Sequence, residues 1–246
     1  MEITTFLIIA VTFLLAGAVK GVIGLGLPTV ALALLTATLG LQPAMALMLA
    51  PSFVTNVWQG AVGGHGRAIA ARLWHFMAAA VLTIWIGAAL AAHVDVAWLS
   101  ALLGFLTLIY GAIGLARASL TLPRGAERWA GPLTGAVNGV LTGLTGTFVV
   151  PSVLYMQSLG LPRDMLIQAM GVLFTLSTVT LALALSDRGL LGADLGLQST
   201  AAVIPALAGM VIGQRIRQRI SEPTFRRVFF VSLVVLGLFI IARSLG

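Results

Sequence analysis

The chain has 246 residues, of which 59% are hydrophobic and 9% charged. Soluble domains carry about a quarter charged residues, so a surface this poor in charge is wetted by lipid. The net charge of +7 does not mark a nucleic-acid binder, because nearly all of it sits in short loops between apolar runs, and the absence of Cys excludes disulfides, thiol nucleophiles and Cys-ligated metals.

A membrane-spanning helix needs about 20 apolar residues, and about ten segments meet or approach that length. They run over 3–20, 27–40, 43–63, 72–93, 96–117, 129–144, 147–160, 164–186, 195–214 and 224–243, separated by charges, Pro and Gly clusters. The first ends in Ala16-Gly17-Ala18, which resembles a signal-peptidase site. It lacks a basic n-region, its only early charge being Glu2. The Ala18-Val19 step recurs as Ala136-Val137, so cleavage would destroy a repeated unit, and the segment is expected to be retained. Segments 27–40 and 147–160 are too short to span and each follows a glycine cluster. Each reads as a half-helix or one arm of a re-entrant hairpin.

Basic residues orient the chain, since Lys and Arg concentrate in cytoplasmic loops. With the N-terminus outside and every segment or hairpin arm reversing direction, Arg67, Arg72, Arg117, Arg124, Arg128, Arg163, Arg215, Arg217, Arg219, Arg226 and Arg227 fall inside. Only Arg188 and Arg243 fall outside. This predicts a multi-pass protein of the cell inner (plasma) membrane with both termini on the extracytoplasmic side.

The sequence also repeats. Ala18-Val-Lys-Gly-Val-Ile-Gly-Leu-Gly-Leu-Pro28 is followed by Leu39-Gly-Leu41 and Pro43; Ala136-Val-Asn-Gly-Val-Leu-Thr-Gly-Leu-Thr-Gly146 is followed by Pro151 and Leu159-Gly-Leu-Pro162. Further on, Gly87 matches Gly213. Two repeats are expected, 1–120 and 121–246. Five segments each is an odd number, so the halves enter the membrane from opposite sides. The fold class is an all-α integral membrane protein of two inverted five-segment repeats, the architecture of many secondary transporters.

In this arrangement the first glycine bend approaches from inside and the second from outside, to meet near the midplane. Broken backbone in a membrane requires protein or a watery cavity to satisfy it. Half-helices starting after Gly26 and Gly146 aim free N–H groups, with positive partial charge, at an anion. Thr142, Thr145 and Thr147 add hydroxyls. The alternative is that the glycines only let helices pack closely. Lys20 is the only Lys and the only ionisable residue placed deep in a span. It marks an anion site unless it snorkels to the inner interface. Its repeat counterpart is Asn138. Polar residues in segments three and eight include Asn56, Gln59 and Gln168. Asn56 and Gln59 share a helix face, as anion ligands or as hydrogen-bonding glue between helices.

No carboxylate lies mid-membrane, so proton coupling would use His75, Lys20, a span-end acid such as Asp164, or the substrate itself. The scattered His65, His75 and His93 lack metal-ligand spacing. With no GxSxG, no HExxH and no mid-span acid, an enzyme is not expected, nor a cofactor. A passive channel or a structural membrane subunit remains as a third reading, separated from a coupled carrier by its inability to accumulate substrate.

The pairing of Lys20-Gly-Val-Ile-Gly-Leu-Gly-Leu-Pro28 with Asn138-Gly-Val-Leu-Thr-Gly-Leu-Thr-Gly146 resembles the duplicated glycine motif of the sulfite exporter TauE/SafE family, also called the 4-toluene sulfonate uptake permease family. The likeness extends over essentially the whole chain. It departs from the fuller glycine triplet at Leu27 and Thr147. The resemblance implies transport of small sulfur-containing anions, foremost sulfite or organosulfonates, with proton coupling; another small organic anion such as a carboxylate is the alternative. Substrate-binding candidates are Lys20, Gly24, Gly26, Asn56, Gln59, Asn138, Thr142, Gly146, Thr147 and Gln168. Expected partners are the anion, the lipid bilayer, protons as coupling ion and a second copy of the chain in a homodimer.

Overall fold

A computed structural model describes residues 3–116, 121–219 and 221–246. Met1, Glu2 and Arg117, and the repeat boundary at 120, lie outside the described residues. Among those described, the chain is helical throughout: α1 (Ile3–Ile23), α2 (Leu27–Leu39), α3 (Leu41–Leu47), α4 (Leu49–Ala61), α5 (Gly66–Ala91), α6 (Val96–Ala116), a short 3-10 turn (Arg124–Ala126), α7 (Glu127–Thr145), α8 (Ser152–Ser158), α9 (Arg163–Asp187), α10 (Ala193–Ala201), α11 (Val203–Arg217) and α12 (Glu222–Leu245). Six stretches among the described residues are long and apolar enough to cross a membrane: α1, α5, α6, α9, α10 with α11, and α12. The expected half-helix at 27–40 is α2, whose thirteen residues rise about 20 Å, two-thirds of the hydrocarbon thickness.

Two expected segments are broken, and proline explains both. A proline lacks the N–H that would bond the carbonyl four residues back, and its ring clashes with that carbonyl. Pro51 frees Leu47, at the α3–α4 break; Pro205 frees Ala201, at the α10–α11 break. Ser199 repairs the first. Its hydroxyl donates to the Leu47 carbonyl (2.8 Å) and accepts the Ala50 N–H (3.0 Å).

A third difference concerns the second glycine cluster. Gly146 ends α7, and the next helix starts only at Ser152, after a cis Val150–Pro151 peptide. The expected half-helix over 147–160 is therefore a seven-residue helix preceded by six residues of irregular backbone.

The chain divides into two compact units. The first comprises Met1–Pro51, Asp95–Arg117 and Leu190–Gly246; the second comprises Ser52–Val94 and Ala118–Gly189. Within the first, α1 packs along α11 and α6 along α12; within the second, α7 packs along α5. Lipid tails are as apolar as the side chains, so these contacts depend on close packing of small residues. A Cβ on Gly17 or Gly21 of α1 would stand 2.1–2.2 Å from the carbonyl oxygens of Ala206 and Met210 in α11. On α7, Gly131, Gly135, Gly139 and Gly143 recur every fourth residue. A Cβ on Gly135 or Gly139 would meet the Phe76 or Ala80 carbonyl oxygen of α5 at 2.1–2.2 Å.

The two pairings share one register. Gly17 and Gly21 precede Gly135 and Gly139 by 118 residues, and Phe76 and Ala80 precede Ala206 and Met210 by 130. Position 213 thus corresponds to Thr83, one helical turn from the expected Gly87. Gly213 lies against the Ala18 carbonyl; Thr83 donates its hydroxyl to the Ala136 carbonyl at 2.9 Å.

Because the clashing atoms are backbone, Gly21→Val and Gly139→Val should each cost at least about 3 kcal/mol, the upper end of ordinary overpacking. Gly196 has open space where its Cβ would be, so Gly196→Ala should gain about 0.5–1 kcal/mol by helix propensity. Denaturation of the three variants in detergent micelles checks both; equal stability of Gly139→Val and wild type would contradict the packing described.

Candidate functional site

In the first unit, α1 runs into the glycine bend. Lys20 lies in its last turn and is 4% exposed. The Gly24 N–H closes that turn on the Lys20 carbonyl at 2.8 Å. Gly24 (φ 80°) and Gly26 (φ 105°) both take left-handed backbone, which costs an L side chain strain that glycine avoids. Gly26 caps α2, and Pro28 sits in its first turn, where a missing N–H costs nothing. A Cβ on Gly26 would also press on Val19 and Phe229 at 3.2–3.3 Å. The N–H groups of this turn have no intrahelical acceptor. Three residues after Gly26, the buried Thr29 hydroxyl has no hydrogen-bond partner. Sequence reading missed Thr29. Its spacing from Gly26, at the third position of a half-helix, was the available signal.

In the second unit, the bend after α7 is held by side chains. Gly146 is left-handed (φ 77°) and its N–H bonds the Thr142 carbonyl at 2.7 Å. The Thr142 hydroxyl lies 2.8 Å from both the Asn138 and the Thr147 carbonyl oxygens. The Thr145 hydroxyl donates to Leu141 O and accepts the Thr147 N–H. The Asn138 Oδ1 accepts the Ser152 N–H at 3.3 Å, and the Ser152 hydroxyl donates to the Phe148 carbonyl. Unwound backbone at membrane depth must be satisfied from within the protein, and these hydroxyls do so. Asn138 is fully buried, and its Nδ2 remains without a hydrogen-bond partner.

Gln59 and Gln168 form a reciprocal strap in the same unit. Gln59 Nε2 donates to the Ile167 carbonyl (2.8 Å); Gln168 Nε2 donates to the Gly60 carbonyl (3.0 Å). Gln168 Oε1 also accepts the His65 N–H at 2.8 Å. Here α4 and α9 cross with backbones touching, since a Cβ on Gly171 would lie 2.4 Å from the Gly60 nitrogen. Asn56 is fully buried one turn earlier on α4. At the edge of the unit, Arg72 grips Glu127 with two bonds (2.7 and 2.9 Å) and donates to the Leu159 carbonyl, joining α5, α7 and α8.

The ten expected residues therefore fall into three clusters. Lys20, Gly24 and Gly26 share the first unit's bend. Asn138, Thr142, Gly146 and Thr147 share the bend of the second, where Gln59 and Gln168 are joined by the strap beside Asn56. Among the described residues no cluster of His, Asp and Glu is placed to hold a metal ion.

Glycine-broken helices with polar side chains buried among apolar spans define a multi-pass helical membrane protein of the transporter type. Residues 9–240 match the family described as Sulfite exporter TauE/SafE, so the chain belongs to this family of membrane transporters. No curated protein and no solved structure matches the chain.

The strap makes Gln168 a supporting residue with both ends of its amide engaged. Gln168→Ala removes two hydrogen bonds and leaves buried backbone groups unmet, at a cost of about 2–3 kcal/mol. A denaturation series in detergent measures this. Unchanged stability together with lost anion binding would instead mark Gln168 as a ligand.

Proposed function

We propose that the chain is a secondary transporter of small oxyanions, foremost sulfite or organosulfonates, working by alternating access with protons as the coupling ion. The observation that carries the proposal is the burial of Lys20, 4% exposed in a membrane span, one turn before the left-handed Gly24 and Gly26. An ionisable side chain at such a depth is costly, and residues of this kind mark substrate and ion pathways.

The chemistry of each bend suits this use. At the first, Lys20 supplies charge, and the opening N–H groups of α2 with the Thr29 hydroxyl supply donors to anionic oxygens. At the second, the buried Asn138 Nδ2 supplies an amide donor, while Thr142, Gly146 and Thr147 hold the backbone around it. Within the second unit Asn56 and Gln59 add buried amides, and Gln168 braces the same stretch of α4 through the Gly60 carbonyl. Lys20, the Thr29 hydroxyl and the Asn138 Nδ2 are hydrogen-bond donors, which suits an oxyanion and not a metal cation.

The shared register of the α1–α11 and α7–α5 pairings supports the reading of 1–120 and 121–246 as inverted repeats, the arrangement on which alternating access is commonly built. The Arg distribution supports a plasma-membrane protein with extracytoplasmic termini. With no carboxylate deep in a span of the sequence, coupling falls to Lys20, His75, a span-end acid such as Asp164, or co-transported protonated substrate.

The test is flux of labelled sulfite, organosulfonates and carboxylates in proteoliposomes, with and without a proton gradient. A hydrogen bond from a charged donor contributes about 1.5–3 kcal/mol, so Lys20→Met should raise the half-saturating sulfite concentration at least about tenfold. Undiminished saturable flux in folded Lys20→Met would remove Lys20 from the site. Carboxylate transport with sulfite excluded would move the substrate class. Flux that never exceeds equilibrium under a proton gradient would make the protein a channel.

A further inference from the structure

A cavity of about 550 Å³ opens in the first unit between the end of α6 and the start of α12. Gly114 lines it from α6; Pro223, Thr224, Arg226, Arg227 and Phe230 line it from α12. Its walls are specific. Gly114 is small because Phe230 lies against it: a Cβ there would sit 2.3 Å from the ring. The Arg226 guanidinium stands 5.4 Å over the Phe230 ring centroid, a cation–π contact that holds the charge at the cavity wall. The Thr224 hydroxyl is 2.7 Å from that of Ser221 at the helix cap.

Charge and position together identify the occupant. The stretch from the last turn of α11 into α12 carries Arg215, Arg217, Arg219, Arg226 and Arg227 against a single acid, Glu222. Two guanidiniums offer forked donors matched to phosphate oxygens, and the start of α12 adds positive partial charge. Both α6 and α12 are long and apolar enough to cross a membrane, and the cavity sits where one ends and the other begins. That places it at the interface, where phospholipid headgroups lie. Beyond the cavity, Val228 (60% exposed), Val231 and Val235 continue along α12 at helical spacing as an exposed apolar track. A soluble phosphate would use only the basic end; a phospholipid would use both.

We propose that this cavity binds the phosphate headgroup of an anionic membrane phospholipid, with an acyl chain lying along the Val228–Val231–Val235 face of α12. The site is separate from the residues assigned to substrate. Basic pockets between spans on the cytoplasmic side are suited to anionic headgroups, and the Arg count puts this end of α12 on that side.

Binding to the purified full-length protein in neutral detergent is measured by native mass spectrometry, titrating phosphatidylglycerol, phosphatidylcholine, glycerol phosphate and inorganic phosphate. The variants are R226Q/R227Q, which removes the charge, and Thr224→Trp, which fills the cavity and keeps both arginines. Wild type should hold one saturable phosphatidylglycerol per chain, at least about tenfold tighter than phosphatidylcholine, and both variants should lose it. Three results would overturn the proposal: undiminished phosphatidylglycerol binding in R226Q/R227Q, full binding in Thr224→Trp, or inorganic phosphate binding as tightly as the lipid. Because Arg226 packs on Phe230, Arg227→Gln alone is read if the double variant melts early; it should weaken phosphatidylglycerol binding and leave phosphatidylcholine unchanged.

Discussion

Helices in this protein meet backbone to backbone. Between α1 and α11, between α5 and α7, and between α6 and α12, glycines on one helix face carbonyl oxygens on the other at distances no side chain could share. In lipid this is what holds helices together, since apolar side chains gain nothing by leaving hydrocarbon for hydrocarbon. The close approach increases dispersion contact over the length of each pair and leaves the remaining faces to lipid. It also anchors the broken elements. α1 and α7, the two helices that run into the glycine bends, are the ones most tightly fixed in this way. Each bend thus begins from a rigid helix, so the backbone that follows has a defined place.

The second constraint is satisfaction of the exposed polar backbone. At three places named side chains meet that requirement. Ser199 serves the gap opened by Pro51; Thr142, Thr145 and Asn138 serve the bend after α7; the two glutamines serve the α4–α9 crossing. Among the groups left over after this accounting, which include the Thr36, Ser52 and Ser177 hydroxyls and the Gln59 Oε1, two lie at the glycine bends: the Thr29 hydroxyl and the Asn138 Nδ2 are buried with no hydrogen-bond partner. A buried donor without a partner costs about 1–3 kcal/mol. In a transporter, such groups are where a ligand's oxygens would be received.

Much of this was legible from the residues. Hydropathy located α1, α5, α6, α9 and α12, and the glycine cluster before Pro28 located the half-helix α2. The breaks at Met48 and Ala202 were also readable, because Pro51 and Pro205 free carbonyls four residues earlier, but the apolar runs concealed them. The start of α8 was hidden for a different reason. Thr147-Phe-Val-Val150 is as apolar as a helix, and only the flanking Gly146 and Pro151 mark the irregular backbone it adopts. Side-chain roles were the least legible. Thr142 and Gln168 have the right chemistry for an anion, yet such side chains bond nearby backbone equally well. Only the positions of the Asn138, Thr147, Gly60 and His65 backbone groups show where they are spent. The duplicated register was visible at Lys20 and Asn138 but slipped by one turn at Gly213, where a glycine in one copy stands for a threonine in the other.

The proposed function turns on whether a small sulfur oxyanion binds at the buried Lys20. The most direct measurement is the thermal stability of the purified protein titrated with sulfite, organosulfonates, carboxylates and chloride at constant ionic strength. A ligand that binds only the folded state stabilises it by about 2.7 kcal/mol at a hundred times its Kd. The account predicts a saturable rise in melting temperature with sulfite or an organosulfonate, absent with chloride and lost in Lys20→Met. A melting temperature indifferent to every sulfur oxyanion, or raised equally in Lys20→Met, would contradict it.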